Sequence, residues 1–443
     1  MKCFTKVIYG GVFSMMVYGL ILASGISCTD DSVESDLRMA DPVRISPSGA
    51  DVEGPYFVSD HRGFPVLVWS EKAEGSEGAG FLVRYARFSK KGDKLLAEGE
   101  VSPSAGCSVT SESMNKIAFK SDGTMVSVYS RRQPTEENRF AGALYYSQSF
   151  DDGRTWTSEN YLHSGDTTRG LSRSFFDLAR LPDGEVGAVW LDSRLTATRG
   201  DGSTLFFSKT SGNFGFLKDQ PVDSGTCECC RTNLFVAQNG DIHILYRDIW
   251  NDSIRDISHV VSEDNGKTFG GPSRISRDNW VIFGCPHTGP SMGETSEGLM
   301  IAWFTQGGGP GVYHTLYDVK TRTYTRKELL TREGTHPQLL TTEDEATIFL
   351  WEESGAGSSH AHSMDSGTPM VTLSMDDLTS PRSVIKARVW KEGRPVREHW
   401  VSSTDQFSTV PVGISLPDGF VGIAWLQQNE DGSSSVMYRR IKG

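Results

Sequence analysis

A turn-and-strand unit recurs seven times along the chain and limits its folds more than any other feature. Each copy is a short apolar strand, a turn, and an apolar strand ending in an aromatic: Gly63…Trp69, Gly123…Tyr129, Gly184…Trp190, Gly240…Tyr246, Gly298…Trp303, Glu345…Trp351 and Gly419…Trp425. Turn residue and aromatic are six apart in six copies and five apart in one. Successive aromatics follow by 60, 61, 56, 57, 48 and 74 residues. A period near 60 fits about one four-stranded sheet per unit. Such sheets bury their faces only against neighbours, and stacking them around an axis gives an all-β propeller. Seven units predict seven blades, with six as the alternative. The last unit, ending at Gly443, holds only three strands. Pro42-Val-Arg-Ile-Ser46 nearly repeats Pro272-Ser-Arg-Ile-Ser276, which reads as an outermost strand. The N-terminal strand is therefore expected to complete the last blade and close the ring, leaving no free edge. The expected domain is 41–443.

The residues before it read differently. Lys2 and Lys6 precede an apolar run from Val7 to about Ala23, and Gly25-Ile-Ser-Cys28 follows. This resembles a bacterial lipoprotein signal. It implies a signal peptide over 1–27, lipidation at Cys28, an acidic linker over 28–40, and a location in the cell envelope (outer membrane or periplasm), with the membrane as partner through the lipid. The net charge of −12 argues against nucleic acid as a partner. It does not decide the substrate, because an acidic protein still binds anions locally. A monomer is expected.

Ser149-Phe-Asp-Asp-Gly-Arg-Thr-Trp156 and Ser262-Glu-Asp-Asn-Gly-Lys-Thr-Phe269 share the pattern Ser-x-Asp-x-Gly-x-Thr-aromatic. The Asp bonds turn amides, the Gly takes a left-handed φ, and the aromatic packs under the turn. Weaker echoes occur at Ser208–Phe214, Tyr317–Tyr324 and Ser374–Asp377. The two full copies resemble the Asp-box (BNR) repeats of the sialidase superfamily, which lie between the third and fourth strands of a propeller blade. Gly284-Cys-Pro-His-Thr-Gly-Pro290, and Tyr246-Arg-Asp248 followed by Ile254-Arg-Asp256, look like motifs of bacterial sialidase-like proteins.

With strands A to D running outward in each blade, the Gly turns and Asp boxes share one face. The loops leading into each A strand, and the B-to-C loops, share the other, around the channel mouth. The lead-in loops carry Glu53, Cys107, Arg169, Arg173, Cys227, Cys229, Cys230, Arg231, Cys285, His287 and His336. The B-to-C loops add Glu71, Arg131, Arg132, Asp192, Arg194, Arg247, Asp248, Glu352 and Glu353, with His360 and His362 in the longest.

Five of the seven cysteines fall in lead-in loops. Two disulfides, joining Cys227 or Cys229 to Cys285 or Cys107, are one reading for an exported protein. A copper or zinc site built from Cys227, Cys229, Cys230, Cys285 and His287 is another, and a redox-active thiol set is a third. No cofactor is otherwise required.

The sialidase resemblance implies a glycoside hydrolase acting on an acidic glycan. Such enzymes hold the substrate carboxylate with three Arg and use a Tyr nucleophile with an Asp acid/base. On that basis Arg231 and Arg247 bind the sugar, Arg131, Arg173, Arg194 and Glu71 assist, and Asp192 or Asp248 moves the proton. The family's N-terminal Arg position falls on Glu53 here, Arg44-Ile-Ser46 falls on an outer strand, and Tyr438 falls within a strand. The alternatives are a non-catalytic surface protein with a Cys-cluster metal site and a lectin-like glycan binder.

Overall fold

The computed structural model describes residues 41–73, 80–164, 170–196, 202–354 and 383–443. Cys28, the signal and linker segments, Arg169, His360, His362 and the Ser374–Asp377 echo lie outside the described residues.

Seven antiparallel sheets carry the described strands. Blade one holds β2 (Val52–Ser59), β3 (Pro65–Lys72), β4 (Phe81–Phe88) and β5 (Leu95–Glu100). Blade two holds β6 (Lys116–Phe119), β7 (Met125–Arg132), β8 (Gly142–Ser149) and β9 (Asn160–Tyr161). Blade three holds β10 (Arg173–Arg180), β11 (Val186–Asp192), β12 (Ser203–Lys209) and β13 (Gln220–Thr226). Blade four holds β14 (Asn233–Val236), β15 (Ile242–Arg247), β16 (Ile257–Ser262) and β17 (Ser273–Arg274). Blade five holds β18 (Ser291–Thr295), β19 (Gly298–Thr305), β20 (Gly311–Asp318) and β21 (Thr323–Tyr324), with β22 (Glu328–Thr331) also on β20. Blade six holds β23 (Gly334–Thr341), β24 (Thr347–Ser354), β25 (Ser383–Lys391) and β26 (Arg394–Trp400). Blade seven holds β27 (Ser408–Leu416), β28 (Phe420–Gln428), β29 (Ser434–Lys442) and, from the start of the domain, β1 (Val43–Arg44).

The closing strand pairs as expected, with Val43 opposite Tyr438 and Arg44 opposite Met437. All seven aromatics of the repeat lie buried in second strands. Their turn residues all take a left-handed φ, including Glu345 at 62°, the one copy without glycine. Fidelity of backbone geometry thus outranks the local cost of a side chain there. One apolar cluster fills each of the seven blade-to-blade junctions, including that between blades seven and one.

Both Asp boxes link third to fourth strands and share one geometry. Ser149 Oγ accepts from the Gly153 amide (2.8 Å), and Asp151 accepts from the Thr155 amide (2.8 Å) and hydroxyl (2.6 Å). The second box repeats this with Ser262, Gly266, Asp264 and Thr268 at 2.9, 2.9 and 2.7 Å. The Thr155 and Thr268 bonds hold Asp151 and Asp264 down at about 2. Each box docks on the preceding blade: Phe269 meets Phe207 of β12 edge-on at 5.1 Å, and Trp156 packs into the junction of blades one and two.

Four innermost strands carry a matching irregularity. Pairing shifts between Glu53 and Tyr56, Ser174 and Asp177, Thr335 and Gln338, and Thr409 and Val412. In each bulge one residue is left-handed: Gly54, Phe175, His336 and Val410. Bulges re-aim the side chains that follow. Here Tyr56, Asp177 and Gln338 are the residues that resume pairing, and they build the centre of the ring.

Candidate functional site

The channel is filled at its centre by charged and polar side chains from different blades. Lys116 Nζ, on β6, donates to Asp177 Oδ1 (2.9 Å) and the Phe176 carbonyl (2.7 Å). Its ammonium also lies 4.9 Å from the Tyr56 ring centre. Asp177 Oδ2 accepts from the Leu234 amide at 2.8 Å, so blades one to four meet here. Burial lowers the Lys116 pKa, against the pull of Asp177.

Arg231 forms a second layer. It pairs with Glu112 (3.3 Å), donates to the Pro337 carbonyl (3.4 Å), and reaches the Gln338 amide oxygen at 3.1 and 3.0 Å when that oxygen is turned toward it. Glu112 also accepts from the Gly289 amide at 3.2 Å. A Cβ at Gly289 would stand 2.4 Å from the Arg231 carbonyl, so this contact admits only glycine. Arg231 is therefore a buried tie between blades two, four and six, where the sequence reading had set it at the rim.

Above this tie sits His336. Its Nδ1 lies 3.0 Å from Glu352 and its Nε2 lies 3.1 Å from the His287 carbonyl. Burial disfavours the imidazolium, but the Glu352 carboxylate outweighs it and raises the His336 pKa to about 9. Glu352 also accepts from the Val410 amide at 2.6 Å. His336 keeps 28% of its side-chain surface exposed, so part of this cation reaches the mouth. Half-buried Glu53, at the start of β2, is raised to about 7 by burial and then by Asp51.

The thiols gather beside this ring. Cys227 Sγ lies 3.7 Å from Cys229 Sγ and 3.8 Å from Cys230 Sγ, and all three are buried. Cys229, Cys285 and His287 form a second group, with Cys285 and His287 exposed. The five described cysteines are free thiols. The expected bridges are therefore absent among the described residues. Bonds from Cys229 and Cys230 hold the Cys227 thiol well below its ordinary range. Bonds from Cys229 and His287 bring Cys285 down to about 5 and raise His287 in turn. Cys107 stands outside this cluster. It bonds Asn115 at 3.2 Å and the Phe81 carbonyl at 3.3 Å, and burial pushes it up to about 12.

Most other residues expected at the site are bound into the scaffold. Asp192 is fully buried and takes Arg173 (3.1 Å), Arg194 (2.8 Å) and the Trp190 indole (3.3 Å). Arg194 also holds Asp219 at 2.5 Å. Glu71 pairs with Arg84 at 3.3 Å, and Arg131 clamps Glu159 (2.8 Å) and the Pro103 and Ala105 carbonyls. Arg247 gives its guanidinium to the Arg255, Thr288 and Phe304 carbonyls at 2.8, 3.1 and 2.9 Å. Asp248 accepts from Ser258 Oγ (2.8 Å) and the Ile249 amide (2.9 Å). Burial and then Asp223 raise it to about 7, but it is 4% exposed. Tyr438 is buried and bonds the Gly92 carbonyl at 2.9 Å.

Sequence reasoning missed Glu112, Lys116, Tyr56, Asp177 and Gln338, and quoted Arg255 in a motif without a role. One signal was available: Lys116 opens the otherwise apolar strand Lys116-Ile-Ala-Phe119.

Residues 76–281 match the BNR repeat-like domain. The chain folds as a β-propeller that carries this repeat-like domain. The polysaccharide lyase Uly1 has the same fold: TM-score 0.53 at 12% identity, with 92% of each chain covered. A protein of unknown function from Dyadobacter fermentans DSM 18053 gives 0.52 at 12% identity, covering 91% of this chain and 98% of that one. A NanB sialidase variant from Streptococcus pneumoniae gives 0.48 at 8% identity, covering 94% and 72%. No curated protein matches this chain in sequence. The two likenesses with TM-scores of 0.53 and 0.52 carry the fold alone.

Proposed function

We propose that this propeller is a carbohydrate-active enzyme of the cell envelope, tethered through Cys28, that takes an acidic glycan at the channel mouth. The observation that carries this reading is the matching bulge at the start of two innermost strands, with Glu53, a half-buried carboxyl near neutrality, at that of β2 and His336, a part-exposed imidazolium, at that of β23. Glu352 and the His287 carbonyl hold both ring nitrogens of His336, and its part-exposed ring edge turns positive charge toward the sugar carboxylate. Arg231 and Glu112 fix the floor beneath it, and Glu53 moves the proton, since a group titrating near the working pH is suited to that task. Support also comes from the fold, which the lyase Uly1 uses to act on polysaccharide. The proton role moves from Asp192 and Asp248 to Glu53 because the first two are buried beneath partners of their own.

The test is turnover of anionic polysaccharides by the full chain, followed as new chain ends. Glu53→Gln is expected to lose turnover while retaining glycan binding. Turnover unchanged by Glu53→Gln, or none on any anionic polysaccharide, overturns the enzymatic reading.

A further inference from the structure

The thiol cluster has no part in that reading, yet it is the most tightly constructed feature of the mouth. Two groups share one residue. Cys227, Cys229 and Cys230 form the buried group, and Cys229, Cys285 and His287 form the exposed one, with the ligand atoms of each within 4.8 Å of one another. Separations of 3.7 and 3.8 Å suit sulfurs around a common ion. Ligands at about 2.3 Å stand about 3.8 Å apart in a tetrahedron and about 4.0 Å apart in a plane.

One residue holds both loops in place. The Arg247 carbonyl accepts from the Cys227 amide at 2.9 Å, and its guanidinium holds the Thr288 carbonyl just past His287. The His287 carbonyl also faces His336, and the Gly289 amide bonds Glu112. Arg255, from the second Arg-Asp motif, reaches the Cys227 sulfur and the Ile282 carbonyl. Asp256, beside it, accepts from the Asn279 and Trp280 amides at the start of the same loop. The Arg-Asp repeat and the Cys-Pro-His loop therefore serve a single construction: they hold four thiols and an imidazole together before any ion arrives.

We propose that these residues form a binuclear copper(I) centre in which Cys229 bridges a buried ion, held with Cys227 and Cys230, and an outer ion, held with Cys285 and His287. The donor set chooses the ion. Thiolates select soft metals, and copper(I) accepts three ligands where structural zinc takes four. Neither group reaches four among the described residues. A monovalent ion among three thiolates leaves negative charge in a buried site, and the Arg247 and Arg255 guanidinia lie beside it. This centre stands independently of the glycan reading and would stand if no glycan bound.

The full chain, reduced and kept anaerobic, is titrated with copper(I) against a competing chelator, and bound metal is counted by elemental analysis. About two ions per chain are expected, with sulfur neighbours and a metal–metal vector in X-ray absorption. Cys285→Ser and Cys230→Ser should each retain about one ion, and Cys229→Ser should retain none. Cys285 is exposed, so its variant keeps the test open if a buried change unfolds the chain. No copper bound, stoichiometry unchanged by Cys285→Ser, absence of the metal–metal vector, or zinc retained in preference overturns the proposal.

Discussion

His336 shows how a single side chain acquires its charge in this protein. It sits in a bulge with a left-handed φ of 49°, on Glu352, and its folded pKa is raised to about 9 from an ordinary value of about 6.5. A raised pKa contributes stability that is fully present below the unfolded value and is lost as pH rises through the folded one. The stability gap between the native chain and His336→Gln should therefore be widest near pH 6, close as pH rises past about 9, and shrink again in acid as Glu352 takes up its proton. Urea midpoints across that range measure it, and a gap independent of pH would contradict the pairing. Asp192 makes the opposite case. It neutralises two buried guanidinia, so Asp192→Asn should cost about 3–5 kcal/mol of folding stability. Denaturant titration tests this, because an Asp held for chemistry alone would leave stability nearly unchanged.

At the scale of the element, the Asp box is a clasp between blades. A Cβ at Gly153 would fall 2.0 Å from the Tyr85 hydroxyl, and one at Gly266 would fall 2.5 Å from the Phe207 ring. Both glycines also have left-handed φ, at 85° and 79°. Gly153→Ala and Gly266→Ala should each cost about 1–3 kcal/mol, read as a lowered thermal midpoint. Equal stability would mean that the boxes are surface ornament. The boxes, the seven turn–aromatic units and the strand containing Val43 were legible in the sequence because each is a local pattern of fixed spacing. The centre was not. That Arg173 and Arg231 turn inward onto scaffold partners goes with bulges at Phe175 and His336, whose left-handed residues carry no glycine to announce them. It rests also on partners, such as Glu112 for Arg231, that lie more than a hundred residues away. Neighbouring cysteines showed that the thiols would gather, but not that Cys107 would stay apart.

For the whole molecule, ring closure is the cooperative device. β1 supplies the outer strand of blade seven, Ile45 packs into the junction of blades seven and one, and the Ile45 amide bonds the Val436 carbonyl at 2.8 Å. Deleting residues 41–46 exposes the edge of β29. It should lower the midpoint of the whole domain in one transition, where a loose tail would leave the melt unchanged. The closed ring brings residues from blades one, two, four, five and six to a common mouth, which no single blade could form.

That mouth is tested most directly by equilibrium binding of uronate oligosaccharides and of neutral oligosaccharides of equal length to the full chain, measured across pH with the His336→Gln variant alongside. The anionic series should bind, lose affinity as pH rises through about 9, and lose it at every pH in the variant. Equal binding of neutral and anionic series, or affinity that neither pH nor His336→Gln changes, would contradict the assignment of the mouth as an acidic-glycan site.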